Sequence, residues 1–520
     1  MKKRSEYNRT TTFGKSSPLF FNTVTSFGLQ LIAILSSFIV PRCILSTFGS
    51  ATNGTVTSIT AFLGFISLLE AGVGGVAKAT LYKPVAEKDY VVTSMAVNET
   101  RRYFNTITLI YVLFVAAFSF TFPAFADNGE SFLYNFALVV AIAVTNLLQY
   151  YFGAGYMQVL HADQKLYILN LVQTAAYALN IVLVFILTSV KASIHMVKLV
   201  SSIVFLIRPA FVRLYVNKHY PLQKKIFSPV PLLKQKWNNL AQTIAYFIHS
   251  KTDVVVLTLF LPPSTVSVYS IYAIISTGLS SIVSSFCSSF TANIGTLYWT
   301  KKNSELKKAF RQYEFLIFNI TVLLFVTAWL VSEDFVRIYT SGINDADYIK
   351  PAFSVLILAA ESVYCLRMPY NNTVLSAGHF KETQNAALIE VAINILLSVA
   401  LVKPFELVGV AIGTLCAMLY RTTYLVFYLS KRIVKESVDS FFKQILVYVA
   451  VAVLSKLGFS LFEYVFPAYN YFSWILKSLA AITLVAIIDL ALNYIFFRSD
   501  LCNCCRAVTK KLGRSEHEKS

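Results

Sequence analysis

Charged side chains inside otherwise apolar segments are the residues of this sequence whose type and position could do chemistry. The stretch FIHSKTDVVVLTLF, residues 247–260, places Lys251 and Asp253 two positions apart among apolar residues. On a helix these two side chains point about 200° apart, so they cannot share one face. Asp253 instead follows His249 by four residues, which is the spacing of a helical ion pair. Two interpretations of Lys251 stay open: it neutralises an acid such as Glu361, or it faces a cavity and holds an anion.

The composition explains why these charges are unusual. Hydrophobic residues make up 56% of the 520 residues and charged residues only 14%, with a mean hydropathy of +0.62. A soluble domain carries about 25% charged residues, and a globular core cannot hide this much apolar surface. The sequence therefore predicts a multi-pass membrane protein. The net charge of +19 does not indicate nucleic-acid binding, because the cations lie in short loops and tails, where they act as topology signals.

Fourteen apolar segments approach or exceed the roughly 20 residues that cross a bilayer. They are 18–40, 54–77, 103–124, 132–156, 166–189, 192–215, 238–260, 265–296, 312–332, 351–376, 383–402, 405–429, 441–462 and 470–497. Lys and Arg concentrate in cytoplasmic loops, so their distribution predicts the orientation. With the N-terminus inside, the outer segments hold only Arg42, Lys191, Arg337, Lys350 and Lys403. We therefore expect both termini to be cytoplasmic.

Depth in the bilayer ranks the ionisable residues. Lys251, Asp253 and Glu361 fall near the midplane, and Glu70, Arg367, Glu390 and Arg421 fall in the inner third. Such residues cost at least about 2.5–3.5 kcal/mol each near a helix centre and usually face a partner or a cavity. The candidates for binding an anionic ligand are Lys251, Arg367 and Arg42, which lies just outside the first span. The candidates for gating or ion coupling are Glu70, Asp253, Glu361 and Glu390.

Span 8 carries two series of hydroxyl residues at a spacing of four. They are Ser276, Ser280, Ser284 and Ser288, and Thr277, Ser281, Ser285 and Ser289. Such a face suits either the wall of a wet cavity or close packing of small residues between helices. Both interpretations stay open.

Two short motifs recur at a nearly constant offset. ATLYKP at 79–84 returns as GTLYWT at 295–300, and VLHADQKLYILN at 159–170 returns as VLSAGHFKETQN at 374–385. The offset covers six spans, an even number, so both copies keep the same orientation and form a parallel repeat. Two lobes around a midplane site are typical of transporters, because rocking one lobe against the other gives alternating access.

The repeat predicts an all-α protein of two six-helix lobes plus two further helices. We expect an N-lobe over 18–217, a C-lobe over 238–432 and spans 13 and 14 over 433–497. A cytoplasmic linker, 218–237, joins the lobes, and basic cytoplasmic tails cover 1–17 and 498–520.

Residues 40–83 and 252–272 resemble the Wzx-type polysaccharide flippases, a branch of the multidrug/oligosaccharidyl-lipid/polysaccharide (MOP) superfamily. The shared features are a Pro-Arg after span 1, a glycine before span 2, an acidic-x-Gly-x-Gly near its inner end, and an aspartate and a tyrosine around span 7. Here these are Pro41, Arg42, Gly54, Glu70, Gly72, Gly74, Asp253 and Tyr269. The resemblance implies the MOP fold, with spans 1, 2, 7 and 8 bordering a central cavity.

The resemblance also implies a function. Wzx-type proteins move an undecaprenyl-pyrophosphate-linked oligosaccharide across the bacterial inner membrane for O-antigen, capsule or exopolysaccharide assembly, which suggests polymerase or ligase machinery as a partner. One rival is a cation-coupled multidrug exporter of the same superfamily. Another, of a different class, is a membrane-embedded glycan polymerase or ligase, which usually has a large outer loop.

No enzyme constellation stands out in the sequence. It has no H-E-x-x-H, no P-loop and no glycine-rich nucleotide fingerprint. The cluster Cys502, Cys504 and Cys505 has no accompanying histidine pair, so we predict neither a metal nor another cofactor. The direction of transport would then come from membrane potential, an ion gradient or consumption of the product outside.

Overall fold

The computed structural model describes residues 18–126, 128–223, 226–227, 240–463 and 468–503, and these residues form helices and no strand. The first seven α-helices are α1 (Pro18–Leu63), α2 (Ser67–Ala86), α3 (Tyr90–Phe125), α4 (Phe132–Ala162), α5 (Leu166–Ser189), α6 (Ile194–Val204) and α7 (Ile207–His219). The others are α8 (Leu240–Phe260), α9 (Pro263–Trp299), α10 (Asn303–Tyr339), α11 (Pro351–Ser376), α12 (Gln384–Leu429), α13 (Asp439–Glu463) and α14 (Tyr471–Phe496). A 3-10 turn, Gly64–Ile66, joins α1 to α2, and a π-helical turn, Ser430–Val434, follows α12.

The predicted all-α membrane fold is confirmed. Eleven helical segments of the described chain are long and apolar enough to cross a membrane. Two of these, Phe20–Glu70 and Gln384–Val434, run for 51 residues each and each hold two predicted spans. Adding α8, at 21 residues, accounts for fourteen crossings.

The two long helical segments change direction at single residues. Within α1 the break is at Gly49, with φ 80° and ψ 177°, a conformation that glycine adopts without strain. Within α12 it is at Glu406, with φ 48° and ψ −124°, close to the predicted boundary at 403–404. Arg42 lies within α1, so the helix continues past residue 40, the predicted end of span 1, up to this first break.

Two glycines allow the two halves of α12 to pack closely after the break. A Cβ on Gly409 would lie 2.1 Å from the Leu401 carbonyl oxygen, and one on Gly413 would lie 2.5 Å from Ser398 Oγ. Larger residues at either position would push the halves apart. The turn therefore depends on small residues as well as on Glu406.

The chain divides into two compact units, Met1–Ser267 and Val268–Ser520, called unit 1 and unit 2 below. In unit 1 a core cluster includes Ile59, Leu63, Phe104 and Tyr111. In unit 2 a core cluster along α10, α13 and α14 includes Val326, Val451, Phe459 and Val485. The predicted lobe boundaries stay a prediction, as do the repeat and the linker, most of which lies outside the described residues.

Cysteine labelling in intact cells is expected to show the orientation predicted from the basic residues. Single cysteines at Asp345 and Lys403 should react with a membrane-impermeant thiol reagent, whereas cysteines at Lys88 and Lys307 should react only after permeabilisation. All four positions are exposed: Lys88 and Asp345 lie in connections, Lys307 lies near the start of α10, and Lys403 lies just before the break in α12. Labelling of both Lys88 and Lys307 positions from outside would contradict the fourteen-span topology.

Candidate functional site

In unit 1, α8 runs antiparallel to the second half of α1 along a series of polar and close contacts. Asn53 Nδ2 donates to Ser267 Oγ over 2.8 Å. Ser267 lies near the start of α9, shortly after the end of α8. Further along, the Ser58 and Thr258 hydroxyl oxygens are 2.7 Å apart. Hydroxyl and amide pairs of this kind fix the register of two membrane helices, because few other partners exist within the bilayer.

A glycine sets how closely the two helices approach. A Cβ on Gly54 would lie 1.7 Å from the Pro263 carbonyl oxygen, so no other residue fits there without displacing that backbone. Gly54, which belongs to the flippase-like motif, therefore packs against the backbone of Pro263, where the chain turns from α8 into α9.

Lys251 lies at the end of this series that is nearest to the 3-10 turn. Its Cε is 3.8 Å from the position that a Cβ on Gly64 would take. Next to it, the Phe65 and Phe247 rings pack in a tilted arrangement, with 4.8 Å between their centroids and 58° between their planes. Lys251 is partly buried, and within unit 1 no described side chain forms a hydrogen bond or ion pair with it. A 3-10 segment between two α-helices often marks a hinge, so this lysine lies where the backbone can bend.

Asp253, two residues further on, is almost fully buried. It has interactions of its own within the protein. The predicted partner His249 lies outside the residues whose side chains are described, so that pairing stays a prediction.

Glu70 on α2 takes part in a polar cluster with two other helices of unit 1. Its carboxylate hydrogen-bonds the Tyr150 hydroxyl of α4 and interacts electrostatically with Arg208 of α7. Arg208 Nε is buried without a hydrogen-bond partner in the described chain. The sequence suggested that Glu70 would pair with a nearby cation, but Arg208 was not identified as that cation.

In unit 2, Arg367 and Glu390 meet in a buried cluster with Arg421. Arg367 Nη1 donates to Glu390 Oε1 over 2.6 Å, and Arg421 Nε lies 3.7 Å from Glu390 Oε2. Arg421 Nη1 also donates to the Thr383 carbonyl over 2.8 Å. Glu390 is 4% exposed and Arg421 2%. We call Arg367, Glu390 and Arg421 the α11–α12 charge cluster. Through it α11 contacts the first half of α12, and the first half of α12 contacts the second.

The cluster has a consequence for two predicted roles. Arg367 was a candidate for ligand binding and Glu390 for ion coupling, and the structure pairs the two side chains with each other. Both Arg367 and Arg421 contact the Glu390 carboxylate, so its charge is already paired inside the protein. The geometry therefore favours a structural role for both residues.

The remaining candidates lie elsewhere. Arg42 is partly buried on α1 next to Cys43 in unit 1, and Glu361 is partly buried on α11 near Cys365 in unit 2. Both have interactions within the protein. Along α9, Ser276 and Ser280 are buried, whereas Thr277, Ser284 and Ser288 are exposed. Several of these hydroxyls, including those of Thr277 and Ser288, donate to carbonyls of their own helix.

These helices define a polytopic membrane protein of the MOP or MATE-like fold. The solved structures similar to this chain belong to the same class. The Lipid II flippase MurJ, in an inward closed conformation, superposes with a TM-score of 0.65 over 92% of this chain and 99% of that chain, at 14% identity. An inward-facing multidrug resistance MATE family transporter of the MOP superfamily gives a TM-score of 0.58 over 76% of this chain and 95% of that chain, at 14% identity.

A third similar structure is a MOP superfamily transporter from Pyrococcus furiosus, for which a binding pocket of reverse polarity has been taken to suggest a different function. It has a TM-score of 0.55 over 81% of this chain and 97% of that chain, at 14% identity. No family model and no curated protein matches the sequence. At these identities the likeness establishes the fold.

Proposed function

We propose that this protein is a flippase that moves a polyprenyl-pyrophosphate-linked oligosaccharide across the bacterial inner membrane, for O-antigen, capsule or exopolysaccharide assembly. The observation that carries the proposal is Lys251 of α8, a partly buried cation beside the 3-10 turn between α1 and α2, without a described partner in unit 1. A pyrophosphate inside a bilayer needs compensating positive charge, because an unpaired anion is very costly there. The likeness in fold to a lipid II flippase over most of both chains supports this choice.

An apolar cleft in unit 2 supports a lipid-borne substrate. The cleft has a volume of about 400 Å³ and lies among α10, α11, α12 and α13. Its lining includes Phe325, Trp329, Val355, Leu366, Leu419 and Val453. An isoprenoid chain is fully apolar, so its transfer along such a surface requires no polar group to be desolvated. An ordinary lipid acyl chain fits the same cleft.

The multidrug alternative is favoured by the MATE transporters among the similar structures. A cationic drug needs an available carboxylate in its binding site. In unit 2 the buried Glu390 is held by two arginines, which makes it a poor partner for a drug cation. Asp253 and Glu361 stay candidates for that role or for ion coupling.

Deletion of the gene from a host with a known surface polysaccharide separates the candidate functions. A flippase loss should remove the polymer and leave single lipid-linked repeat units on the cytoplasmic face. If single units instead reach the outer face and remain unpolymerised, the protein acts as a polymerase. Unchanged polysaccharide with increased sensitivity to cationic drugs would support the multidrug exporter and contradict our proposal.

A further inference from the structure

A small polar cavity lies among α10, α13 and α14 in unit 2. Asp489 of α14, Gln444 of α13 and Asn319 of α10 line it together with apolar residues. Its volume is about 10 Å³, close to the roughly 10–15 Å³ that a single water molecule needs. These residues belong to none of the sites described above.

The side-chain amide of Asn493 supplies the described hydrogen bonds between polar side chains that line this cavity. Asn493 Nδ2 donates to Asn319 Oδ1 and to Asp489 Oδ1, each over 2.9 Å. Gln444 is 5% exposed, and its Oε1 is buried without a hydrogen-bond partner among the described residues. A buried acceptor left in this way costs about 1–3 kcal/mol, so the site favours an additional donor.

The charge of the site is also uncompensated. Two other carboxylates that anchor this part of the chain are paired with cations. Asp334 accepts a hydrogen bond from Lys477 Nζ of α14 over 2.5 Å. Asp500, which follows α14, accepts from Arg311 over 2.8 and 2.9 Å. Asp489 is 6% exposed, and no described side chain of unit 2 supplies it with a cation. Among the described residues that line the cavity, the only other titratable side chain is that of Tyr448.

We propose that Asp489 is a proton-binding site that holds α14 against α10 and α13. The Asp489 carboxylate takes up one proton, and the resulting acid donates to Gln444 Oε1, directly or through one water in the cavity. A single proton therefore gives Gln444 Oε1 a hydrogen-bond donor and neutralises the buried Asp489 carboxylate. Release of the proton returns a bare carboxylate to the interior of the bundle, which favours hydration and separation of α14. The inference stands independently of the proposed substrate.

Infrared difference spectroscopy of the purified full-length protein in lipid nanodiscs tests the protonation state. At pH 7 the wild type is expected to show a carboxylic-acid carbonyl band that disappears in Asp489→Asn. The matched control Asp500→Asn should leave that band unchanged, because Asp500 forms an ion pair with Arg311 and does not line the cavity. Gln444→Leu should shift the band to higher frequency, because the acid loses its acceptor.

Two results would overturn the proposal. The first is the absence at pH 7 of an acid band that depends on Asp489. The second is loss of the band when sodium replaces choline at constant ionic strength, since a bound metal cation rather than a proton would then neutralise the carboxylate. If Asp489→Asn does not fold, judged by size-exclusion chromatography, the band shift in Gln444→Leu and the sodium exchange in the wild type still decide the question.

Discussion

Replacing Lys251 by alanine is expected to reduce export of the lipid-linked oligosaccharide by about a hundredfold while leaving expression and membrane insertion unchanged. Removing one charge from a pair in a desolvated site costs about 3 kcal/mol. At about 1.4 kcal/mol per tenfold change, this cost corresponds to about a hundredfold loss of export. Lys251→Arg should retain part of the activity, because the charge is kept while the shape changes. Export is measured as surface polysaccharide in cells and as appearance of a labelled lipid-linked substrate in the outer leaflet of proteoliposomes.

Two controls separate ligand binding from internal neutralisation. Lys198→Ala changes another partly buried lysine of unit 1, on α6, and should leave export within a few-fold of the wild type. The double variant Lys251→Ala with Glu361→Ala should remain inactive. Restored export in the double variant would show that Lys251 only neutralises an acid, and the ligand-binding role would be lost.

Glu390→Gln is expected to destabilise the protein strongly, by about 3–5 kcal/mol, because it leaves Arg367 and Arg421 buried without a counter-charge. The measurement is thermal unfolding followed by size-exclusion chromatography of the remaining folded protein. Replacing both members of the closest pair, Arg367→Met with Glu390→Leu, should recover part of the stability, since apolar pairs of similar volume often substitute for a buried ion pair.

A surface pair provides the matched control for this measurement. Glu305→Gln removes the partner of Lys302, an exposed pair at 3.2 Å on α10, and should change the stability by no more than about 1 kcal/mol. A Glu390→Gln protein that is as stable as the wild type but has lost the pH or ion dependence of transport would contradict the structural role and support ion coupling at Glu390.

The breaks within the two long helical segments show where sequence reasoning about boundaries succeeded and where it failed. The spans predicted from the sequence leave connections at 41–53 and 403–404, and the breaks at Gly49 and Glu406 lie within the first and two residues after the second. The sequence does not predict that the helix continues through Pro41 as far as Gly49. Proline is tolerated inside membrane helices when neighbouring groups satisfy the freed carbonyl, so its presence alone does not end a helix.

The pairing of the buried charges shows a second limit. The sequence identified Arg367, Glu390 and Arg421 as ionisable residues at similar depth, because depth depends only on distance along each span. It did not pair them, since the partner depends on which faces of α11 and α12 meet. The same reason explains why Arg208 was not identified as the neighbour of Glu70, and why Asp489 and Gln444 were not connected.

The sequence by itself determined the class of this protein, its all-helical nature and the number of its spans. These follow from the length and composition of each apolar segment, which are local properties that a bilayer enforces one helix at a time. Only the tertiary structure decided the contacts: the α1–α8 series that ends beside Lys251, the α11–α12 charge cluster, and the small polar cavity around Asp489. Each depends on the packing of helices that are distant in sequence, and the rotation and spacing of packed helices are set by all their neighbours at once.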